Sequence, residues 1–160
     1  MILYHGGTEI VEKPEIISRN AGRDFGMGFY CTDIYGQAVN WSRRQGRIRK
    51  LNSILNMYEF DADSAKCNLK FKSFDDYSLE WLELVVNCRK NIQFSHGFDI
   101  VYGKIANDDV GETVQAVLDG LMPLEFGLQK LAFMHSNNQY CFCSKVSLSC
   151  LRFNESVKLE

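Results

Sequence analysis

The chain has almost no proline, with Pro14 and Pro123 the two in 160 residues. It also lacks internal repeats, low-complexity tracts and any linker rich in Pro, Gly or Ser. Disordered segments are marked by such compositions, because they bury too little apolar surface to offset the entropy of ordering. No apolar run approaches the roughly 20 residues that a membrane-spanning helix needs. The basic-then-apolar layout of a signal peptide is missing, since His5, Gly6 and Gly7 interrupt the start at once. The expectation is a soluble, cytoplasmic protein with no membrane partner. A cationic excess is absent too. The formal charge of -2 argues against a surface built broadly for nucleic acid.

What is present is core-forming. Hydrophobic residues make up 46%, including 11 Phe and 7 Tyr, which suits one domain over residues 1–160 with one sizeable core. The six cysteines (Cys31, Cys67, Cys88, Cys141, Cys143, Cys150) are scattered in mostly apolar contexts, as reduced, small residues of a cytosolic chain would be. Cys141, Cys143 and Cys150 near His135 raise the question of zinc. A strand, however, puts Cys141 and Cys143 two apart on one face, without the usual two-residue loop between ligands. No metal is expected.

The pattern along the chain mixes strands and helices. Residues 2–5 alternate as a strand, broken by Gly6-Gly7-Thr8. After an irregular stretch over 14–27, residues 29–32 form a short aromatic strand. Thr32 or Asp33 then caps a helix to about Gly46, with Ala38, Trp41 and Ser42 on one face. Residues 56–60 and 67–71 read as a strand pair around Asp61-Ala62-Asp63-Ser64. A helix starting at Asp75, Asp76 or Ser78 reaches about Lys90. Residues 98–102 are a strand, 112–118 a helix closed by Gly120, and Pro123 opens the next. The chain ends on strand 139–143, a helical turn from Ser144, and strand 151–153. The order lacks the regular strand–helix alternation of a doubly wound fold, so the fold class is α+β. Gly26-x-Gly28 follows a loop and opens a strand. A dinucleotide fingerprint would do the reverse.

Two short motifs stand out chemically. His5 ends a strand with two glycines behind it, where a ligand can approach the backbone while the imidazole hydrogen-bonds. Taken singly, it also reads as an ordinary strand-end histidine. In Gly26-Met27-Gly28-Phe29-Tyr30, two glycines beside aromatics suit a flat ring stacking on Tyr30, or simply a crowded strand start. Elsewhere, Ser144, Ser147 and Ser149 have no following histidine, and His96 and His135 no acid at a recognisable spacing. A serine or cysteine hydrolase is unsupported.

Taken in order, the blocks Tyr4-His5-Gly6, Phe25-Gly26-Met27-Gly28-Phe29-Tyr30-Cys31-Thr32, Gln37-Ala38 with Trp41, Tyr58-Glu59-Phe60-Asp61, Glu80-Trp81-Leu82, residues 98–108, 138–142 and 148–153 span nearly the whole chain. Together they resemble a family of small bacterial ADP-ribosyltransferase-like proteins, many encoded in toxin–antitoxin pairs. The resemblance implies a split two-sheet ADP-ribosyltransferase fold with NAD as co-substrate in the cleft between the sheets. It implies a macromolecular acceptor, protein or nucleic acid, and a possible cognate antitoxin. The diphtheria-toxin-like group presents His, Tyr and Glu from three strands. By that pattern His5 meets the NAD ribose or nicotinamide region, the Gly6 backbone meets the nicotinamide amide, and Tyr30 stacks on its ring. Gly28 and Phe29 flank that contact, Thr32 reaches the nicotinamide ribose, and Asn107 and Asp108 lie near the site. Arg23 is a partner for the pyrophosphate, or else a solvated loop arginine.

The third position departs from the pattern, with Gln139 where Glu is expected. Cleavage of the nicotinamide–ribose bond builds positive charge on the sugar. An amide keeps the hydrogen bond but lacks the opposing charge, a difference commonly worth about 3 kcal/mol. Asp24, Asp108, Asp109 or Glu112 could supply that charge, although turns and caps also account for Asp109 and Glu112. A catalytically weak or inactive NAD-binding module is therefore an alternative. A third reading rests on Arg43-Arg44-Gln45-Gly46-Arg47-Ile48-Arg49-Lys50, five cations in eight residues. These would contact phosphates of RNA or DNA, or form a solvated helix end suited to the helix dipole.

Overall fold

The computed structural model describes residues 1–17, 23–134 and 137–160, the Asp108 side chain excepted. His135, weighed above as a metal ligand, lies outside the described residues. The fold is α+β, with two sheets and flanking helices. The first sheet joins β1 (Ile2–Gly7), β3 (Ser53–Phe60) and β7 (Leu151–Leu159) in the order β1-β3-β7. The second has the order β2-β6-β5-β4, from β2 (Phe29–Cys31), β6 (Asn138–Phe142), β5 (Ile100–Lys104) and β4 (Phe71–Ser73). Neighbouring strands are antiparallel except for the β4–β5 pair.

Strand alternation sorts the side chains into layers. Leu3, Phe29, Tyr58, Ile100, Phe142 and Leu151 turn inward from both sheets and form a core between them. On the outer face of the first sheet, Leu55 packs with Ala38 and Val39 of α1 (Tyr35–Arg49). On the outer face of the second, Phe25, Val101 and Cys141 meet α3 (Leu79–Lys90), α4 (Asp108–Leu118) and α5 (Leu124–Leu131) through Trp81, Leu82, Val85, Val110, Val114 and Leu131. Two glycines permit this layering. A Cβ on Gly6 would fall 2.2 Å from the Ala38 carbonyl oxygen, so α1 can lie on β1 only where no side chain intervenes. A Cβ on Gly28 would fall 2.4 Å from Sγ of Cys141.

Several elements differ from the sequence expectation, each for a local reason. The expected strand over 67–71 is instead the end of α2 (Ala62–Asn68) followed by β4. The Asp61 carboxylate that suggested a turn accepts from the Ser64 N–H at 3.0 Å and caps this helix; a turn and a helix start share that bond. Helix α1 runs past Gly46 to Arg49, and Lys50 closes it in the left-handed region at φ 55°. Its N-cap position is Ile34, and Thr32 supports the start by accepting from the Ile34 N–H. Its buried face is Ala38, Val39, Ser42 and Gly46, while Trp41 is 47% exposed. The basic run therefore occupies the exposed C-terminal half of α1 and its cap, where cations suit the helix dipole. Strand β7 extends well beyond residue 153 because it stays paired with β3 as far as Leu159; its polar outer stretch hides the alternation of apolar residues that would have shown this. Among the described residues, no helix is long and apolar enough to cross a membrane.

Candidate functional site

The site is built where the two sheets meet edge to edge. Tyr4 and Thr32 exchange both backbone hydrogen bonds, at 2.8 and 2.9 Å, linking β1 to β2. A continuing antiparallel ladder would set Gly6 opposite Tyr30. Instead, the Tyr30 carbonyl accepts from Nδ1 of His5 at 2.7 Å, and the ladder stops. Three consequences follow. The Gly6 N–H, on the same edge of β1 as that of Tyr4, points toward the split. The His5 tautomer is set, with Nδ1 protonated and Nε2 left as an acceptor. The imidazole stacks on Phe29, with centroids 4.4 Å apart and planes at 25°. Burial lowers the His5 pKa, against the Tyr30 carbonyl that raises it, and the Arg23 charge lowers it further.

Tyr30 sits on the other face of β2, toward the helices. Its hydroxyl accepts from the Phe25 N–H at 3.1 Å and donates to the Gly26 carbonyl at 2.7 Å. Gly26 reaches that position in the left-handed region, at φ 77°. Burial holds the phenol protonated, and Cys141 beside it adds to the shift. The Arg23 guanidinium lies 4.9 Å from the ring centroid and covers one face of the ring.

Gln139 lies on β6, two residues before Cys141, the register partner of Tyr30. The two-residue repeat sends Gln139 and Cys141 to the same face. There Gln139 Nε2 donates to Oδ2 of Asp24 at 3.1 Å. Asp24 is gripped on every side. Its Oδ2 also accepts from the Ala106 N–H at 2.8 Å, and its Oδ1 accepts from Nε and Nη2 of Arg89 at 3.2 and 2.5 Å. The pair is well shielded, with side-chain exposures of 11% for Asp24 and 17% for Arg89. A carboxylate can only accept, so Gln139 must offer its NH2 group to Asp24 and turn Oε1 the other way.

The sequence-predicted residues thus divide. His5, Tyr30 and Gln139 stand on three neighbouring strands, β1, β2 and β6, with the His5 and Tyr30 rings on opposite faces of β2 and joined through the Tyr30 carbonyl. Arg23 and Asp24 join the Tyr30 side. Gly6 reaches the split through its backbone, while the missing side chain of Gly28 makes room for Cys141. Phe29 is core, 1% exposed, and touches the site only through His5. Thr32 is 5% exposed and its hydroxyl is spent on Gln37, the Asn138 carbonyl and the Ile34 N–H. Asn107 caps α4, accepting from the Val110 N–H at 3.2 Å. It lines a separate cleft of about 430 Å³ with Asp109, Glu112, Lys130, Phe133 and Met134. Of the acids weighed as stand-ins for Glu whose side chains are described, Asp24 is the one hydrogen-bonded to Gln139, while the Asp108 side chain lies outside the described residues. Arg89 and Ala106 gave no sequence signal, because both come to Asp24 through tertiary contacts more than 60 residues away.

Residues 1–153 match the family described as Protein of unknown function (DUF3990). The chain belongs to that family. The match covers His5, Arg23, Asp24, Tyr30, Arg89 and Gln139, so the whole cluster lies within the DUF3990 region. No curated protein and no solved structure matches the chain.

Proposed function

We propose that this DUF3990 protein is an ADP-ribosyltransferase that uses NAD as co-substrate and modifies a macromolecule in a toxin–antitoxin or defence setting. The observation that carries the reading is the interrupted β1–β2 ladder. It leaves the Gly6 N–H and the Nε2 acceptor of His5 at the split between the two sheets, with the Tyr30 ring and Gln139 beside it on the helix-facing side of the second sheet. These groups match the needs of the nicotinamide half of NAD. A backbone N–H suits the carboxamide, a neutral imidazole acceptor suits a ribose hydroxyl, and an aromatic face suits the nicotinamide ring. Arg23 supplies the cation for the pyrophosphate. Gln139 accepts a ribose hydroxyl through Oε1, with its amide held by Asp24. The protein's part in the reaction is to position the dinucleotide and exclude water so that an acceptor reaches the anomeric carbon.

A second reading, an NAD-binding module with weak or no transfer, is favoured by one contact. The charge of Asp24 is already balanced by Arg89, so the positive charge of the transition state meets an amide in place of a free carboxylate. One experiment separates the two. Purified protein is mixed with labelled NAD and whole lysate, with and without protease or nuclease, and both nicotinamide release and macromolecular label are followed. Transfer is expected for the wild type and is lost in His5→Ala, Tyr30→Ala and Gln139→Ala. Calorimetric NAD binding without release identifies the module. No binding and no transfer, or equal transfer in all three variants, overturns both.

A further inference from the structure

Three cysteines gather on the helix-facing side of the second sheet, next to the candidate site but outside its proposed work. Cys141 is fully buried on β6, admitted by the missing side chain of Gly28. Cys143 follows one residue past the strand end, where its N–H donates to the Asp99 carbonyl at 2.8 Å. Cys88 of α3 is buried nearby. Residues two apart in an extended strand have Cα atoms roughly 6.5 Å apart, near the upper limit for a disulfide, and their sulfurs normally stand parallel. Here the chain leaves the strand after Phe142, and the Cys141 and Cys143 sulfurs converge to 3.3 Å.

Access and acidity differ across the group. Cys143 is partly exposed, whereas Cys141 and Cys88 are sealed from solvent. The Cys141 thiol, hydrogen-bonded to the Cys143 sulfur, favours a Cys143 thiolate; burial opposes this, and the neighbouring His96 favours it again, leaving the Cys143 pKa below its ordinary value. His96 is fixed in place, with Nε2 against the Phe25 carbonyl at 3.1 Å and Nδ1 accepting from the Phe98 N–H at 3.1 Å. Burial drives the other two thiols the opposite way, Cys88 to about 12 and Cys141 well above its ordinary value. A partly exposed thiolate beside a buried resolving thiol is the arrangement of an oxidant-reactive pair.

We propose that Cys143 and Cys141 form a two-electron redox site, with Cys143 the thiol that attacks a small hydroperoxide and Cys141 the thiol that resolves the product. The Cys143 thiolate attacks the terminal peroxide oxygen, the O–O bond breaks, and the leaving alkoxide takes up a proton to become an alcohol, or water when the oxidant is hydrogen peroxide. Cys143 is then a sulfenic acid. The Cys141 sulfur attacks it, loses its proton, and the hydroxyl of the sulfenic acid departs as water. Two thiols are oxidised, one peroxide is reduced, and an external dithiol reverses the change. The sulfurs need approach by only about 1.3 Å to reach bonding distance. The site stands independently of any reaction with NAD.

The test uses the full chain with Cys67→Ser and Cys150→Ser, which removes the more exposed competitors. The protein is treated with stoichiometric hydrogen peroxide and followed by intact mass and peptide mapping. Loss of two hydrogens within one peptide carrying Cys141 and Cys143, restored by dithiothreitol, is expected. Cys143→Ala slows peroxide consumption by roughly tenfold or more. Cys141→Ala leaves a Cys143 sulfenic acid that dimedone captures; because alanine keeps that position apolar, the variant stays folded. A bridge to Cys88 or Cys31, an undiminished rate in Cys143→Ala, or dimedone capture in the parent protein without any two-hydrogen loss overturns the assignment.

Discussion

Gln139 and Asp24, 115 residues apart in the chain, meet through a single 3.1 Å hydrogen bond from the amide to the carboxylate. Through Asp24 the amide of β6 is tied to Arg89 on α3 and to the Ala106 N–H in the loop into α4. The charge missing from position 139 is thus present one hydrogen bond away, already matched with a guanidinium.

Replacing Asp24 with Asn keeps the shape and removes that match. Arg89 would be left largely buried and without its counter-charge, and losing one partner of such a pair costs about 3 kcal/mol or more. Urea unfolding of Asp24→Asn should show that loss. Adding Arg89→Met to it should recover a substantial part. A single-variant loss below about 1 kcal/mol would mean that the pair behaves like an exposed one.

Tyr30 has a structural role through its hydroxyl and, on the proposed function, a separate one through its ring. Tyr30→Phe removes a hydroxyl that bridges the Phe25 N–H and the Gly26 carbonyl, which costs about 1–3 kcal/mol in unfolding experiments. The ring remains, so NAD binding measured by calorimetry should change far less than in Tyr30→Ala. Equal losses of binding in both variants would remove the ring-stacking role.

The lowered pKa of His5 carries a sign that can be checked. Above its ordinary value of 6.5 the ring is neutral in both folded and unfolded chains and contributes no pH dependence. Below 6.5 the unfolded chain takes up the proton first, so stability falls as the pH drops from 6.5 through the lower folded-state value. His5→Gln should flatten that part of the curve of melting temperature against pH. A variant with the same slope as the wild type would place the titration elsewhere.

Two glycines near α1 should respond in opposite directions to alanine. Gly6→Ala pushes a methyl group into the Ala38 carbonyl oxygen and should cost about 1–3 kcal/mol, lowering the melting temperature. Gly36, in the first turn of α1, would place a Cβ in open space, and Gly36→Ala should stabilise by up to about 1 kcal/mol. Thermal unfolding of the two variants side by side decides the matter. Stabilisation by Gly6→Ala would mean that α1 is free to lift from β1.

Much of the architecture was legible because it depends on short-range rules. The α+β class came from periodicity and from the order of elements. Ser78, one of three candidate starts, and Pro123 announced α3 and α5, and Gly120 the end of α4, through capping chemistry that needs only neighbouring residues; α4 itself begins at Asp108, ahead of the expected start at 112, because Asn107 caps it. Where one local bond serves two structures, as the Asp61–Ser64 bond does, sequence alone could not choose. The candidate site divides along the same line. His5, Tyr30 and Gln139 could be named because the family resemblance picks out one residue in each of three stretches that read as strands. That the Tyr30 carbonyl would take the His5 imidazole and halt the ladder, that Gly6 would serve α1 as well as the split, that the sulfurs of Cys141 and Cys143 would converge, and that Asp24 would be bound by Arg89 and Ala106 were all decided by tertiary structure. Those outcomes depend on which distant strands and helices come to share a face. Contacts such as those of Asp24 with Arg89 and Gln139, made across 65 and 115 residues, leave no mark in a local pattern.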